Sequence, residues 1–246
     1  MNLPLKGKIA LVTGASRGIG AAIAERLAAD GAELILHYGS GHTEADAVAS
    51  RIRSAGGKAR TVQADLASAD GPRELFARLD APRIDILVNN AGVAPFATID
   101  ATDEATFDRL INVNVRSLFF ITQKALERMP DGGRIIHVGS AVTRVAFPGI
   151  PAYAATKGFV DVLTIQLAAA LGARGITVNT VAPGAIDTRM SGWIREPGGA
   201  DTVAAIQALP GIGQPEHVAG AVAFLAGPDG CWTTGHVLDV SGGTKL

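Results

Sequence analysis

Short aliphatic runs alternate along the whole chain with longer, Ala-rich stretches of helical period. KIALV (8–12), ELILHY (33–38), ARTVQ (59–63), IDILVNN (84–90), RIIHVGS (134–140), ITVNTVAPG (176–184) and HVLDV (236–240) predict strands. Between them the pattern predicts helices over 19–30, 43–55, 71–80, 103–129, 153–173 and 215–226. Strands that read as unbroken aliphatic runs are buried on both faces, and intervening helices force parallel connections. The expectation is an α/β fold, a Rossmann-type doubly wound parallel sheet of about seven strands with helices on both faces. No linker or compositional break divides it, so residues 1–246 are expected to form one domain.

The irregular segment is 187–214, dense in glycine and proline, with a short helical pattern at 200–208. It follows a strand's carboxyl end, where ligands of such sheets bind, and is expected to be a substrate lid.

Composition narrows the function classes. Of 246 residues, 48% are apolar but only 5% aromatic, so Ala, Val, Leu and Ile must build the core. A net charge of −1 gives no general reason to bind nucleic acid or an anionic membrane. Cys231 is the only cysteine, which excludes an intrachain disulfide and a cysteine-held zinc; no metal is expected. The first residues are too briefly apolar for a signal peptide, and no uninterrupted apolar stretch is long enough to span a bilayer. A cytoplasmic location is the expectation.

TGASRGIG (13–20) joins the first strand to the first helix. Gly14, Gly18 and Gly20 would let a pyrophosphate approach the N–H groups of the helix N-terminus, with Ser16 and Ile19 in the same loop. A tight turn that binds nothing would need the same glycines. The second strand ends in His37-Tyr38-Gly39-Ser40, with no carboxylate before Glu44 to meet the ribose of NAD. Arg17 could meet a 2′-phosphate. NADP(H) is therefore the expected cofactor, with NAD(H) possible and Tyr38 and Ser40 near the adenosine.

In PAYAATKGF (151–159), Tyr153 and Lys157 stand four apart and project from one helix face. An ammonium at about 4 Å in an effective dielectric near 20 supplies about 4 kcal/mol, enough to lower a phenol by about three units. Ser140 ends the preceding strand at the same sheet edge and could donate to a substrate carbonyl. Singly, each has an ordinary structural use: a packed tyrosine, a solvated lysine, a serine before a turn.

Together, the glycine loop, NNAG (89–92), Asn114 in INVNV, Ser140, Tyr153, Lys157 and PGAIDT (183–188) closely resemble the short-chain dehydrogenase/reductase family over nearly the full length, and among them 3-oxoacyl-carrier-protein reductase-like members. That resemblance implies an oxidoreductase in which Tyr153 is the general acid/base, Lys157 lowers its pKa and bonds the nicotinamide ribose, Ser140 orients the substrate oxygen, and Asn114 holds a relay water. It implies cofactor contacts from Asp65, Leu66, Asn90, Ala91, Gly92, Pro183, Gly184, Ile186 and Thr188, and a homotetramer. Asp65 and Thr188 could otherwise be simple caps.

Val142, Phe147, Ile150, Met190 and Trp193 are expected to wall the substrate site, suiting a small-molecule ketone or alcohol with hydrocarbon flanks. Arg144 and Arg195 stand nearby. Asp131 in MPDGGRI weighs against docking of an acidic carrier, although Arg128, Arg134 and Arg174 could compensate. A polyol dehydrogenase, a non-catalytic NADP(H) sensor and a structural subunit are the other readings.

Overall fold

A computed structural model describes residues 3–244. Seven strands form one parallel sheet in the order β3-β2-β1-β4-β5-β6-β7. They are β1 (Ile9–Val12), β2 (Glu33–Tyr38), β3 (Lys58–Gln63), β4 (Ile86–Asn89), β5 (Arg134–Val138), β6 (Thr177–Pro183) and β7 (Val237–Val240). The order reverses between β1 and β4, which opens a crevice at their carboxyl ends.

One face of the sheet is covered by α1 (Gly18–Ala29), α2 (His42–Ser54) and α8 (Pro215–Ala226). The other is covered by α3 (Gly71–Ala77), α5 (Ser117–Leu126) and α6 (Pro151–Leu171). The alternation of each strand divides the core accordingly: Ala10, Val12, Leu34, Leu36 and Val88 face α1 and α8, whereas Leu11, Ile35, Leu87 and Ile135 face α5 and α6.

The single helix expected over 103–129 needs correction: it is α4 (Glu104–Leu110), a π-helical turn (Ile111–Arg116) and then α5. Hydropathy period cannot register one extra residue in a turn, and such insertions favour functional sites. The Ser117 N–H reaches back to the Asn112 carbonyl, the five-residue step that defines the bulge. α6 with the following turn, Pro151–Arg174, is long enough to cross a bilayer and holds an 18-residue window of mean hydropathy 1.3, which is not one unbroken apolar stretch. Its Lys157 and Asp161 interrupt the run without lowering the average below that level.

In 187–214 a 3₁₀ turn (Gly192–Arg195) and the short helix α7 (Gly199–Ala204) replace the longer expected helix. Gly199 makes that helix start possible, since a Cβ there would lie 2.2 Å from the Trp193 carbonyl oxygen. The segment is tied back by Ile186 pairing with Gly213 and Gln207 with Thr244.

Candidate active site

The glycine loop is held from three strands. The Thr13 hydroxyl oxygen accepts from the N–H groups of Asn90 and Ala91, each at 3.0 Å. In return, Asn90 Nδ2 donates to the Thr13 and Gly14 carbonyls at 2.9 and 3.0 Å. His37 Nδ1 accepts from the Gly14 N–H at 3.2 Å, while its Nε2 meets the Ala64 carbonyl at 3.1 Å. That pair of contacts demands the neutral ring, and burial pushes the imidazole down to about 4. Thr13 and His37 were not among the expected site residues. A histidine closing an otherwise aliphatic strand was the only signal of its role.

A dinucleotide fits this cradle. No side chain caps the start of α1, so the N–H groups of its first turn face outward. Gly14 and Gly18 have φ of 64° and 54°, and a Cβ on Gly20 would lie 2.2 Å from the Gly14 carbonyl oxygen. A Cβ on Gly18 would touch Thr188, which brings the segment after β6 against the loop. Gly41 packs on Ser16 in the same way. Arg17 is exposed but lies 3.8 Å from Glu44, because the first turn of α2 folds this carboxylate back toward the loop. Linear distance along the sequence had hidden that proximity.

Other expected cofactor residues have local duties. The Tyr38 hydroxyl meets His42 Nδ1 at 2.9 Å, and Ser40 is exposed at the strand's end. Asp65 caps its own turn through the Ala67 N–H at 3.0 Å, and Leu66 is buried beside it. Gly184 after Pro183 packs on Ser241, where a Cβ would meet backbone at 2.8 Å. Ile186 is buried, and Thr188 bonds Ser191 at 2.9 Å. The ion pair of Arg195 with Asp187 joins the two ends of this turn.

At the carboxyl end of β5, Ser140 is 8% exposed; its hydroxyl oxygen accepts from the Val142 N–H at 3.4 Å, and the side chain stands beside the Tyr153 phenol. Lys157, one turn further along α6, is 5% exposed; its Nζ donates to the Val138 carbonyl at 2.7 Å and stands 5.7 Å from the Tyr153 ring centre. Gly92 lies in front of both: a Cβ there would approach Asn114 Oδ1 at 3.4 Å and Lys157 Nζ at 3.8 Å. The four expected catalytic groups are thus brought to one place.

Their electrostatics differ from expectation in one respect. Burial pushes the Tyr153 phenol up to about 12, opposed only in part by the neighbouring Ser140 hydroxyl. Burial also brings Lys157 down to about 8, against the pull of Asp161. The expected lowering of the phenol is therefore absent, because desolvation exceeds what the Ser140 hydroxyl returns. The Asn114 carboxamide likewise has other work: Oδ1 accepts from the Val93 N–H at 2.9 Å, and Nδ2 donates to the Val93 carbonyl and Thr156 hydroxyl at 2.9 and 3.1 Å. With both amide hydrogens committed, its side chain clamps the loop after Gly92 onto α6.

Ile150 is buried, Val142, Phe147 and Trp193 are partly buried, and Met190 is 53% exposed on the segment after β6. Phe96, 69% exposed and packed over Gly149, was not among the expected wall residues. The arginines considered for a carrier protein are spent internally. Arg128 donates to the carbonyls of Phe76, Leu79 and Ala81, Arg134 to Gly132 and Gly133, and Arg174 pairs with Asp131. Arg144, too, pairs with Asp239.

The chain is similar to known proteins over nearly all its length. The family model described as enoyl-(acyl carrier protein) reductase matches residues 14–245. An uncharacterized oxidoreductase of Methylorubrum extorquens is 43% identical over 98% of this chain and 99% of its own. Among solved structures, the angucycline C-6 ketoreductase LanV with bound NADP superimposes with a TM-score of 0.94, at 43% identity over 99% of this chain and 97% of that one. A short-chain dehydrogenase/reductase from Serratia marcescens gives 0.92 at 42% identity, over 99% of this chain and 100% of its own.

Proposed function

The chain belongs to the short-chain dehydrogenase/reductase family of oxidoreductases, and on that premise we propose that it is an NADPH-dependent ketoreductase whose proton donor is Tyr153. The observation that carries this reading is that the Ser140 hydroxyl and the Tyr153 phenol stand together beside buried Lys157, at the sheet edge that the glycine loop faces. A ketone oxygen in place there would accept from both hydroxyls, and Ser140 would fix its position. Bound NADPH would supply the hydride.

The electrostatics suit a group that starts as a proton donor. A phenol near 12 is fully protonated at neutral pH and stands ready to give its proton to a developing alkoxide. Oxidation of an alcohol would instead ask for phenolate, which a group near 12 offers in only about one part in 10⁵ at pH 7. Lys157 would face the ribose side of the cofactor, and Arg17 with the exposed Ser40 its 2′-phosphate.

The related ketoreductase LanV has been solved with NADP and rabelomycin, which supports a ketone substrate with sizeable hydrocarbon flanks. The apolar residues Val142, Phe147, Met190 and Trp193, together with Phe96, suit that class. The spent arginines give no support to a docked carrier protein.

The experiment is NADPH and NADH oxidation against a panel of cyclic aromatic ketones, aliphatic ketones and 3-oxoacyl thioesters, with Arg17→Ala alongside. Wild type is expected to turn over ketones faster than thioesters, and to prefer NADPH by about 10- to 100-fold, as one charge-assisted contact allows. That preference should largely vanish in Arg17→Ala. Turnover confined to NADH, or unchanged preference in the variant, would remove Arg17 from this role.

A homotetramer belongs to the same reading. Val162 and Ile165, 61% and 53% exposed, share the outward face of α6, and Phe119 is exposed on α5. This apolar surface has the character of an interface rather than a solvated helix face. Sedimentation velocity should give about four times the chain mass of 25.2 kDa; a monomer at micromolar concentration would exclude it.

A further inference from the structure

The charge that balances Lys157 lies behind it, away from the substrate. Asp161 follows Lys157 by four residues, hence one turn along the same face of α6. The two side chains meet consecutive residues at the end of β5. Lys157 donates to the Val138 carbonyl, and Asp161 lies against Gly139, where a Cβ would stand 3.4 Å from its Oδ1. That same Cβ would lie 2.5 Å from Thr180 Cγ2. Glycine is what lets the carboxylate close on the strand.

Asp161 Oδ1 is buried and has no hydrogen-bond partner among the described residues. A carboxylate oxygen left so is costly unless a charge nearby compensates it. The Thr143 hydroxyl donates to the Ser140 carbonyl oxygen at 3.2 Å and lies near enough to the Asp161 carboxylate to favour its charged form, which sets the carboxylate beside the turn that carries Ser140.

We propose that Asp161 is the counter-charge of Lys157 and the anchor of the Ser140 turn, a positioning residue for the proton-transfer pair. It rests on the reading of Tyr153 and Lys157 given above. The groups around the pair are few. Lys157 is faced by Tyr153 and Asp161 on α6 and by His137 on β5, and the histidine is neutral because burial pushes it down to about 3. Asp161 is faced by Lys157, by Arg144 after the Ser140 turn and by Asp239 on β7; Arg144 and Asp239 pair with each other on the outer side. Asp161 is thus the anion that keeps the ammonium charged in a site that otherwise disfavours charge. Burial pushes its own carboxyl up, with Thr143, Arg144 and Lys157 opposing.

The test reads Lys157 itself. In cofactor-free protein labelled with lysine ¹⁵Nζ, and with Lys157→Arg to assign the signal, the Lys157 ammonium should titrate near 8. Asp161→Asn should move that titration to lower pH by about one unit, the order expected for one charge a helical turn away. Asp161→Glu should restore most of it, and the basic limb of kcat/KM should move with it. A merely structural role for Asp161 would lower stability or turnover at every pH and leave the titration in place, which would overturn the inference. Should Asp161→Asn not fold, Asp161→Ser carries the same expectation. The two readings fail separately. A chain that reduces no ketone can still show the coupled titration, while active enzyme with an unmoved Lys157 defeats this inference alone.

Discussion

Tyr153→Phe is expected to lower kcat/KM for ketone reduction by about 10²- to 10⁴-fold, the usual contribution of a positioned proton donor. The variant removes one oxygen and keeps the ring, so packing beside Lys157 at 5.7 Å is retained. Losing the phenol's interaction with the Ser140 hydroxyl should cost at most about 1 kcal/mol of stability. NADPH affinity, measured by fluorescence titration, should stay close to wild type, because the glycine loop is held by Thr13, His37 and Asn90. In the wild-type pH profile, the basic limb should lie near 8 and belong to Lys157, since the phenol keeps its proton until about 12. Wild-type turnover in Tyr153→Phe would remove the phenol from the chemistry and leave Ser140 as the group to examine.

Acid should unfold the protein through two histidines. His37 and His137 have folded-state values near 4 and 3, below the ordinary 6.5. Between those values and 6.5 the unfolded chain binds more protons, so stability rises with pH there and is lost as pH falls. From pH 7.5 to 4.5 the two together should remove about 5 kcal/mol, a large part of the total for most domains. Asp161 acts in the opposite sense, because a carboxyl pushed up favours the folded state on acidification. Urea unfolding at a series of pH values measures the slope. A change below about 1 kcal/mol over that range would mean that neither ring is held neutral by the fold. His37 adds a second symptom: once protonated, its Nδ1 can no longer accept from Gly14, so cofactor affinity should fall before the chain unfolds.

The fold was legible because most strands away from the edges are largely aliphatic on both faces, as a covered parallel sheet requires. All seven strands and most helices stand within a few residues of their expected places. The candidate catalytic set came from motif, not from period: Ser140, Tyr153 and Lys157 are ordinary residues until their order along the chain is seen whole. What escaped were effects that need three dimensions. The π-turn around Asn114 has the same apolar spacing as a straight helix. Glu44 looked too far from Arg17 until α2 turned it back. The depth of Tyr153, which decides that its phenol goes up rather than down, is a property of everything packed over it. No pair of residues carries that information.

The bonds that hold the glycine loop have a thermodynamic consequence for affinity. A loop with glycines at 14, 18 and 20 would be among the most mobile in the chain if left alone, and freezing it on contact with a ligand would consume about 1–2 kcal/mol per residue. Here Thr13, Asn90 and His37 hold the near end of that loop through the chain's own hydrogen bonds. Much of the ordering cost therefore falls on folding, and a dinucleotide arriving at α1 meets a mould already set.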